Sequence, residues 1–195
     1  MGEDSSFLLK LLALVLLILT NGFFVAVEFA AVTARRSRLE TLAEQGHATA
    51  RLVLKWVENP DRLVAAAQIG ITIASLALGY VGENTFAHLL EPWLSKLHLP
   101  VEALTPLLGA LPLILSLTVV TGLHVVFGEQ TPKIIALRAP ERVVLLLARP
   151  MEFCARLFHP LVVLLDSATQ GVVRLLGMEP IASHHTIYSL SLIHI

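Results

Sequence analysis

The segment Gly128-Glu129-Gln130-Thr131-Pro132-Lys133 sets an acid, a proline and a lysine at the end of a long apolar run. No residue between Glu102 and Glu129 is charged, and Ala103 to Gly128 is long enough to cross a bilayer, which takes about 20 apolar residues. Pro132 has no N–H, so a helix continuing through it leaves the carbonyl of Gly128 without its usual donor. Within a membrane such a carbonyl persists only where protein, water or an ion satisfies it. A bare carbonyl beside a carboxylate offers two hard oxygen ligands of the kind that Mg²⁺ or Ca²⁺ takes. The competing reading is that Glu129 marks the water interface, Pro132 ends the helix and Lys133 snorkels to the headgroups.

Two further apolar runs carry polar groups on one face. In the first, Asn21 and Glu28 are two helical turns apart. Asn21 could equally make an interhelical hydrogen bond, worth about 0.6–2 kcal/mol, and Glu28 could pair with a neighbouring arginine. In the second, Gln68, Thr72, Ser75 and Gly79 recur at four, three and four, one stripe on a helix. That stripe supplies oxygens, or permits close helix packing, or both. The third run repeats the arrangement with Thr118, Thr121, Gly122 and Glu129.

The elements that must position these groups follow from composition. Of 195 residues 55% are hydrophobic and 15% charged, and the mean hydropathy is +0.75. A soluble domain has about a quarter of its residues charged, so the chain reads as an all-α integral membrane protein. A net charge of −1 gives no case for a nucleic-acid partner, and the single Cys154 excludes an intrachain disulfide.

Three transmembrane helices are expected, over about 7–33, 62–82 and 103–129. Glu3 and Asp4 precede the first and Arg35, Arg36 and Arg38 follow it, which is the reverse of a signal peptide. Those arginines, with Lys133, Arg138, Arg142 and Arg149 after the third span, set a multi-pass topology with the N-terminus outside. Residues 39–58 read as one amphipathic helix, with Leu39, Leu42, Gly46, Thr49, Val53 and Trp56 on its apolar face, ended by Asn59-Pro60-Asp61. Residues 83–102 read as a separate external interfacial helix anchored by Trp93 and interrupted by Pro92, with His88 and His98 as surface histidines. From Val143 to Leu176 no stretch of about 20 residues escapes a charge, which favours helices along the inner membrane face, a belt over 134–177, against the alternative of a fourth span. We expect cytoplasmic juxtamembrane helices forming a belt there, with Gly177 as a C-cap. The last six residues, 190–195, read as a non-native tail, so the domain is expected over 1–189 and the natural chain to continue.

Asn21-Gly22-Phe23-Phe24-Val25-Ala26-Val27-Glu28, the arginine cluster, Gln68-Ile69-Gly70-Ile71-Thr72 through Ser75, and Gly128-Glu129-Gln130-Thr131-Pro132-Lys133 together resemble the transmembrane domain of the cyclin M/CorB–CorC family, in its hemolysin-like form. The resemblance implies a plasma-membrane homodimer in the lipid bilayer, cytoplasmic CBS domains further along the full chain, and Mg²⁺ as the transported ion. By position it assigns ligand roles to Glu129, the Gly128 carbonyl, Ser75 and Thr72. The family's transporters have a serine-rich first-helix motif, F-S-G-S-E, where this chain has Phe24-Val25-Ala26-Val27-Glu28. Asn21 or retained waters would have to replace the two missing hydroxyls. The function expected is divalent-cation transport without catalysis. The alternative is a non-transporting regulator or scaffold coupling CBS-domain sensing to a partner.

Overall fold

The computed structural model describes residues 2–58, 60–94 and 105–178. Every element among them is helical: α1 (Gly2–Thr33), α2 (Arg36–Glu44), α3 (Ala48–Glu58), α4 (Pro60–Leu94), α5 (Thr105–Leu123), a π-helical segment (His124–Gln130), α6 (Thr131–Arg138) and α7 (Pro140–Leu175). Residues Met1–His159 form one unit and those from Pro160 onward a second.

Among the described residues three stretches are long and apolar enough to cross a membrane: Phe7–Thr33, Pro60–Gly82 and Leu113–Arg138. Their outer faces are exposed leucines and valines such as Leu12, Leu16, Leu76 and Val126, while Val27, Ala30, Ala66 and Ala67 are buried between helices. This is the pattern of helices surrounded by lipid, which associate by close packing rather than by escape from water. Glycines set the approach distances. A Cβ on Gly70 would lie 2.5 Å from the Phe24 ring, one on Gly22 2.9 Å from Pro132, and one on Gly82 2.6 Å from Val120. Leu14, Ile18, Leu78 and Val120 form a buried apolar cluster, with Leu17, Phe86 and Leu123 packed against it. Phe24, Val25, Ala26 and Val27 are all buried in the core.

Four expectations are corrected. The amphipathic stretch 39–58 is two helices, because Gly46 takes φ +92°. The N–H of Gly46 donates to Ala43 O and that of His47 to Leu42 O, the Schellman ending that glycine permits. Leu39, Ala50, Val53 and Trp56 are buried as expected of the apolar face. Second, no break separates the second span from an external helix, since α4 continues past Gly82 to Leu94 with Pro92 in its last turn. The side chains of His88 and Trp93, and all of 95–104 including His98, lie outside the described residues, as does the tail from 179 onward.

Third, the helix does not end at Glu129. It continues through Pro132 to Arg138 and breaks only at Ala139 (φ −143°, ψ 57°), which the following Pro140 drives out of the helical region. Fourth, Glu28 makes no ion pair with an arginine among the described residues. Arg35 Nε is 2.9 Å from Glu141 Oε1, and Arg36 pairs with Glu40 and Glu58.

The expected belt is one long helix, α7, rather than several, and Pro150 and Pro160 lie within it. Its first part packs on the body through Val144, Ala148, Met151 and Ala155, spaced four, three and four, all buried. Glu152 accepts from Trp56 Nε1 at 3.3 Å. In the second unit the helix ends on Gly177 (φ +75°), where Gly177 N donates to Arg174 O and Met178 N to Val173 O. This is the C-cap expected at Gly177.

Candidate functional site

Pro132 cannot supply the N–H that an α-helix would send to Gly128 O, and the chain answers with a wider π turn from His124 to Gln130 instead of a break. Single π turns inside α-helices frequently occur at functional sites. Gly128 is buried in that turn, directly opposite α1. A Cβ there would lie 2.9 Å from the His124 ring and 3.3 Å from Asn21 Nδ2.

The released carbonyl fixes a directional chain of hydrogen bonds. A carbonyl only accepts, so Asn21 must turn its amide nitrogen to it, and Nδ2 donates to Gly128 O at 3.0 Å. Asn21 Oδ1 then faces Ser75, whose hydroxyl donates to it at 3.2 Å. That uses the only proton of the hydroxyl. His124 Nε2, 3.3 Å from Ser75 Oγ, must therefore carry a hydrogen and donate to it. The same nitrogen is 3.6 Å from Glu129 Oε1. Four side chains from all three spanning helices, Asn21, Ser75, His124 and Glu129, thus form one chain of contacts that starts at a backbone carbonyl. Asn21 is fully buried, and no buried side-chain N or O among the described residues lacks a hydrogen-bond partner.

Of the residues expected at the site, Asn21, Ser75, Gly128 and Glu129 come together. Thr72 does not: it is exposed, and its hydroxyl donates to Gln68 O of its own helix at 2.8 Å. Thr118 likewise bonds Ile114 O of its own helix. Pro132 packs against Gly22, holding α6 to α1, and Lys133 Nζ lies 4.5 Å above the Phe29 ring. Arg35 and Arg36 make the ion pairs given above, and Arg38 is exposed. Glu28, two turns beyond Asn21, is half-buried and outside the cluster. A shallow pocket lined by Ala31, Val57, Asp61 and Gln68 contains none of the cluster residues.

His124 escapes sequence reasoning. It stands five residues before Glu129, a separation that an α-helix turns onto different faces, and only the π turn brings the two side chains together. The signal was the proline itself, since a helix passing through it must change register upstream.

The Glu129 side chain is 41% exposed, whereas His124 is 15% exposed. The cluster is therefore closed on the α1 side and open at the carboxylate. One carboxylate with inward-held oxygens can bind a cation. Among the described residues no group of three His, Cys, Asp or Glu forms a metal cage.

An all-α bundle with three helices long enough to cross a membrane and a polar cluster between them defines a membrane domain. The chain belongs to the cyclin M transmembrane N-terminal domain family, whose sequence model matches residues 11–194. It is 43% identical over 170 residues to the uncharacterized protein MT1889 of Mycobacterium tuberculosis, covering 87% of this chain and 47% of that one. It is 33% identical over 181 residues to the UPF0053 protein YrkA of Bacillus subtilis, covering 93% of this chain and 41% of that protein. It is also 34% identical over 159 residues to the polyamine export protein of Salmonella typhimurium, covering 82% of this chain and 34% of that one. The chain spans less than half the length of these relatives.

Proposed function

We propose that this chain is the membrane-embedded part of a cation transporter in which Glu129 meets the cargo, and that the cargo is a divalent cation, Mg²⁺. The supporting observation is the buried relay from Gly128 O through Asn21 and Ser75 to His124, ending beside Glu129. An ionisable group at such a depth is costly, and its retention is ordinarily functional. Mg²⁺ keeps several of its waters and is commonly bound through one or two carboxylates. The carboxylate of Glu129 is the charged ligand, and Gly128 O, Ser75 Oγ and Asn21 Oδ1 each retain a lone pair for the ion or its waters. Thr72 drops out of the ligand set, because its side chain is exposed and bonds only within its own helix, apart from the cluster.

The same reading takes the arginines at 35, 36 and 38, and the basic residues after the third span, as cytoplasmic, with the N-terminus outside and the plasma membrane as the site. The length of the relatives leaves room for cytoplasmic domains, for which a CBS pair is the proposal, and the functional unit is a homodimer. No catalytic step is assigned.

A second cargo rests on one observation, the polyamine export protein among the relatives. A single open carboxylate also suits an organic ammonium group. Flux into liposomes carrying the full-length protein, with Mg²⁺ and with a linear diamine, wild type against Glu129→Gln, separates these readings. Flux of one cargo that the substitution abolishes identifies it. Equal flux in both proteins, or none in either, sinks the Glu129 pathway and favours a regulator or scaffold.

A further inference from the structure

The first part of α7 carries a face that the bundle does not use. Val144, Ala148, Met151 and Ala155 turn inward. Opposite them Leu146, Phe153 and Leu157 are 78%, 69% and 61% exposed. Arg142, Arg149 and Arg156 recur at seven residues, so they form a column along the helix. Each of Leu146 and Phe153 stands three or four residues from two of these arginines, which places the apolar stripe and the basic column side by side on the solvent-facing surface.

The acidic residues of this segment lie elsewhere. Glu141 is bound by Arg35, and Glu152 faces Trp56 while also pairing with Arg156. Arg142 and Arg149 are exposed and make no ion pair among the described residues. The surface thus combines large apolar side chains with the uncompensated positive charge of Arg142 and Arg149. It begins at Pro140, two residues after the third stretch long and apolar enough to cross a membrane ends at Arg138.

We infer that this face of α7 is a binding surface for anionic phospholipid. Leu146, Phe153 and Leu157 enter the acyl boundary, and Arg142 and Arg149 hold headgroup phosphates of the leaflet where the third span ends, with Arg156, paired to Glu152, completing the column. Charge selects this occupant. An exposed apolar stripe alone would equally suit a second copy of the chain, but two copies meeting here would bring their arginine columns together. Guanidinium groups recognise phosphate oxygens in a bidentate manner, and each basic residue near an anionic surface contributes roughly fivefold to association.

The test uses the full-length protein in bilayers of phosphatidylcholine containing about a third phosphatidylglycerol, with spin-labelled lipids of each headgroup reporting which one the protein retains. Wild type is expected to prefer phosphatidylglycerol several-fold, and the preference should fall as salt is raised from about 0.05 to 0.5 M, because screening shortens the reach of the charges. The triple variant Arg142→Gln, Arg149→Gln, Arg156→Gln should lose most of the preference while keeping its helical circular dichroism. No preference in wild type, or one that neither salt nor the substitutions reduce, overturns the inference. A spin label at Leu146→Cys in a Cys154→Ser background gives an independent reading. Collision with oxygen, as for a label immersed below the phosphates, supports it. A label shielded from both oxygen and aqueous relaxant and dipolar-coupled to its twin makes the face a contact between copies and overturns it. The outcome does not depend on the cargo, so failure of either proposal leaves the other standing.

Discussion

Asn21 donates from Nδ2 to the carbonyl of Gly128 at 3.0 Å, across 107 residues of chain. The bond ties the first spanning helix to the turn that carries Glu129, and it orients every other group in the cluster. Asn21→Ala leaves a buried carbonyl without its side-chain donor and the Ser75 hydroxyl proton without its acceptor, and an unsatisfied buried group costs about 1–3 kcal/mol. Thermal unfolding of the purified protein in detergent should show that loss. Asn21→Asp should not rescue it, because a carboxylate cannot donate to a carbonyl. An aspartate variant as stable as wild type would show that the bond does not hold the turn.

Close packing gives a second prediction. The Phe24 ring stands 2.5 Å from where a Cβ on Gly70 would be, and it is held by Phe23 in an edge contact at 5.0 Å and by Phe158 at 6.1 Å. It has little freedom to move aside, so Gly70→Ala should cost about 1–3 kcal/mol through overpacking. Gly79 has nothing within 4 Å of its Cβ position. Gly79→Ala should be neutral or stabilising by up to about 1 kcal/mol from helix propensity. Equal melting temperatures for the two variants would contradict this account of the interface.

The same two contacts mark how far the sequence could be read. Uncharged runs and flanking arginines locate three spanning helices, because bilayer thickness and charge cost act on residues within one run. The Gly128 carbonyl was legible too, since the missing N–H of Pro132 is a local property. Its partner Asn21 was legible only as a polar group on a helix face. Which carbonyl it meets depends on how α1 and the third span pack, and Gly22 against Pro132 decides that in three dimensions. His124 was hidden because its position relative to Glu129 depends on a local change of helical period. Gly46 hides in an otherwise regular apolar pattern, which stays in phase across the turn.

Outside the spans, Glu141 gives a pH prediction. Its carboxyl is held below the usual carboxylate range, chiefly by the hydrogen bond from Arg35, with burial opposing. A carboxyl depressed in the folded state stabilises above its unfolded value, near 4.5, and that contribution is lost as the pH falls through the folded value. Wild type should therefore be more stable than Glu141→Gln at neutral pH, and the two melting temperatures should converge on acidification below about pH 4. A gap that stays constant with pH would assign the effect to packing at the start of α7 rather than to charge.

Ser75 and Thr72 share one stripe of α4 but differ in what their hydroxyls do. Ser75 Oγ links Asn21 to His124, whereas Thr72 Oγ1 returns to Gln68 O. If the relay presents Glu129 to the cargo, Ser75→Ala removes the acceptor of the His124 N–H and frees the imidazole from its position beside the carboxylate. Loss of one such bond is worth about 1 kcal/mol, so cargo affinity should weaken about fivefold. His124→Ala should weaken it at least as much, and Thr72→Ala should behave as wild type. The measurement is the concentration dependence of flux in liposomes for the three variants, with Glu129→Gln as the inactive reference. Comparable losses for Thr72→Ala and Ser75→Ala would mean that the cargo follows the whole polar stripe of α4, and the site would then lie along that helix instead of at the π turn.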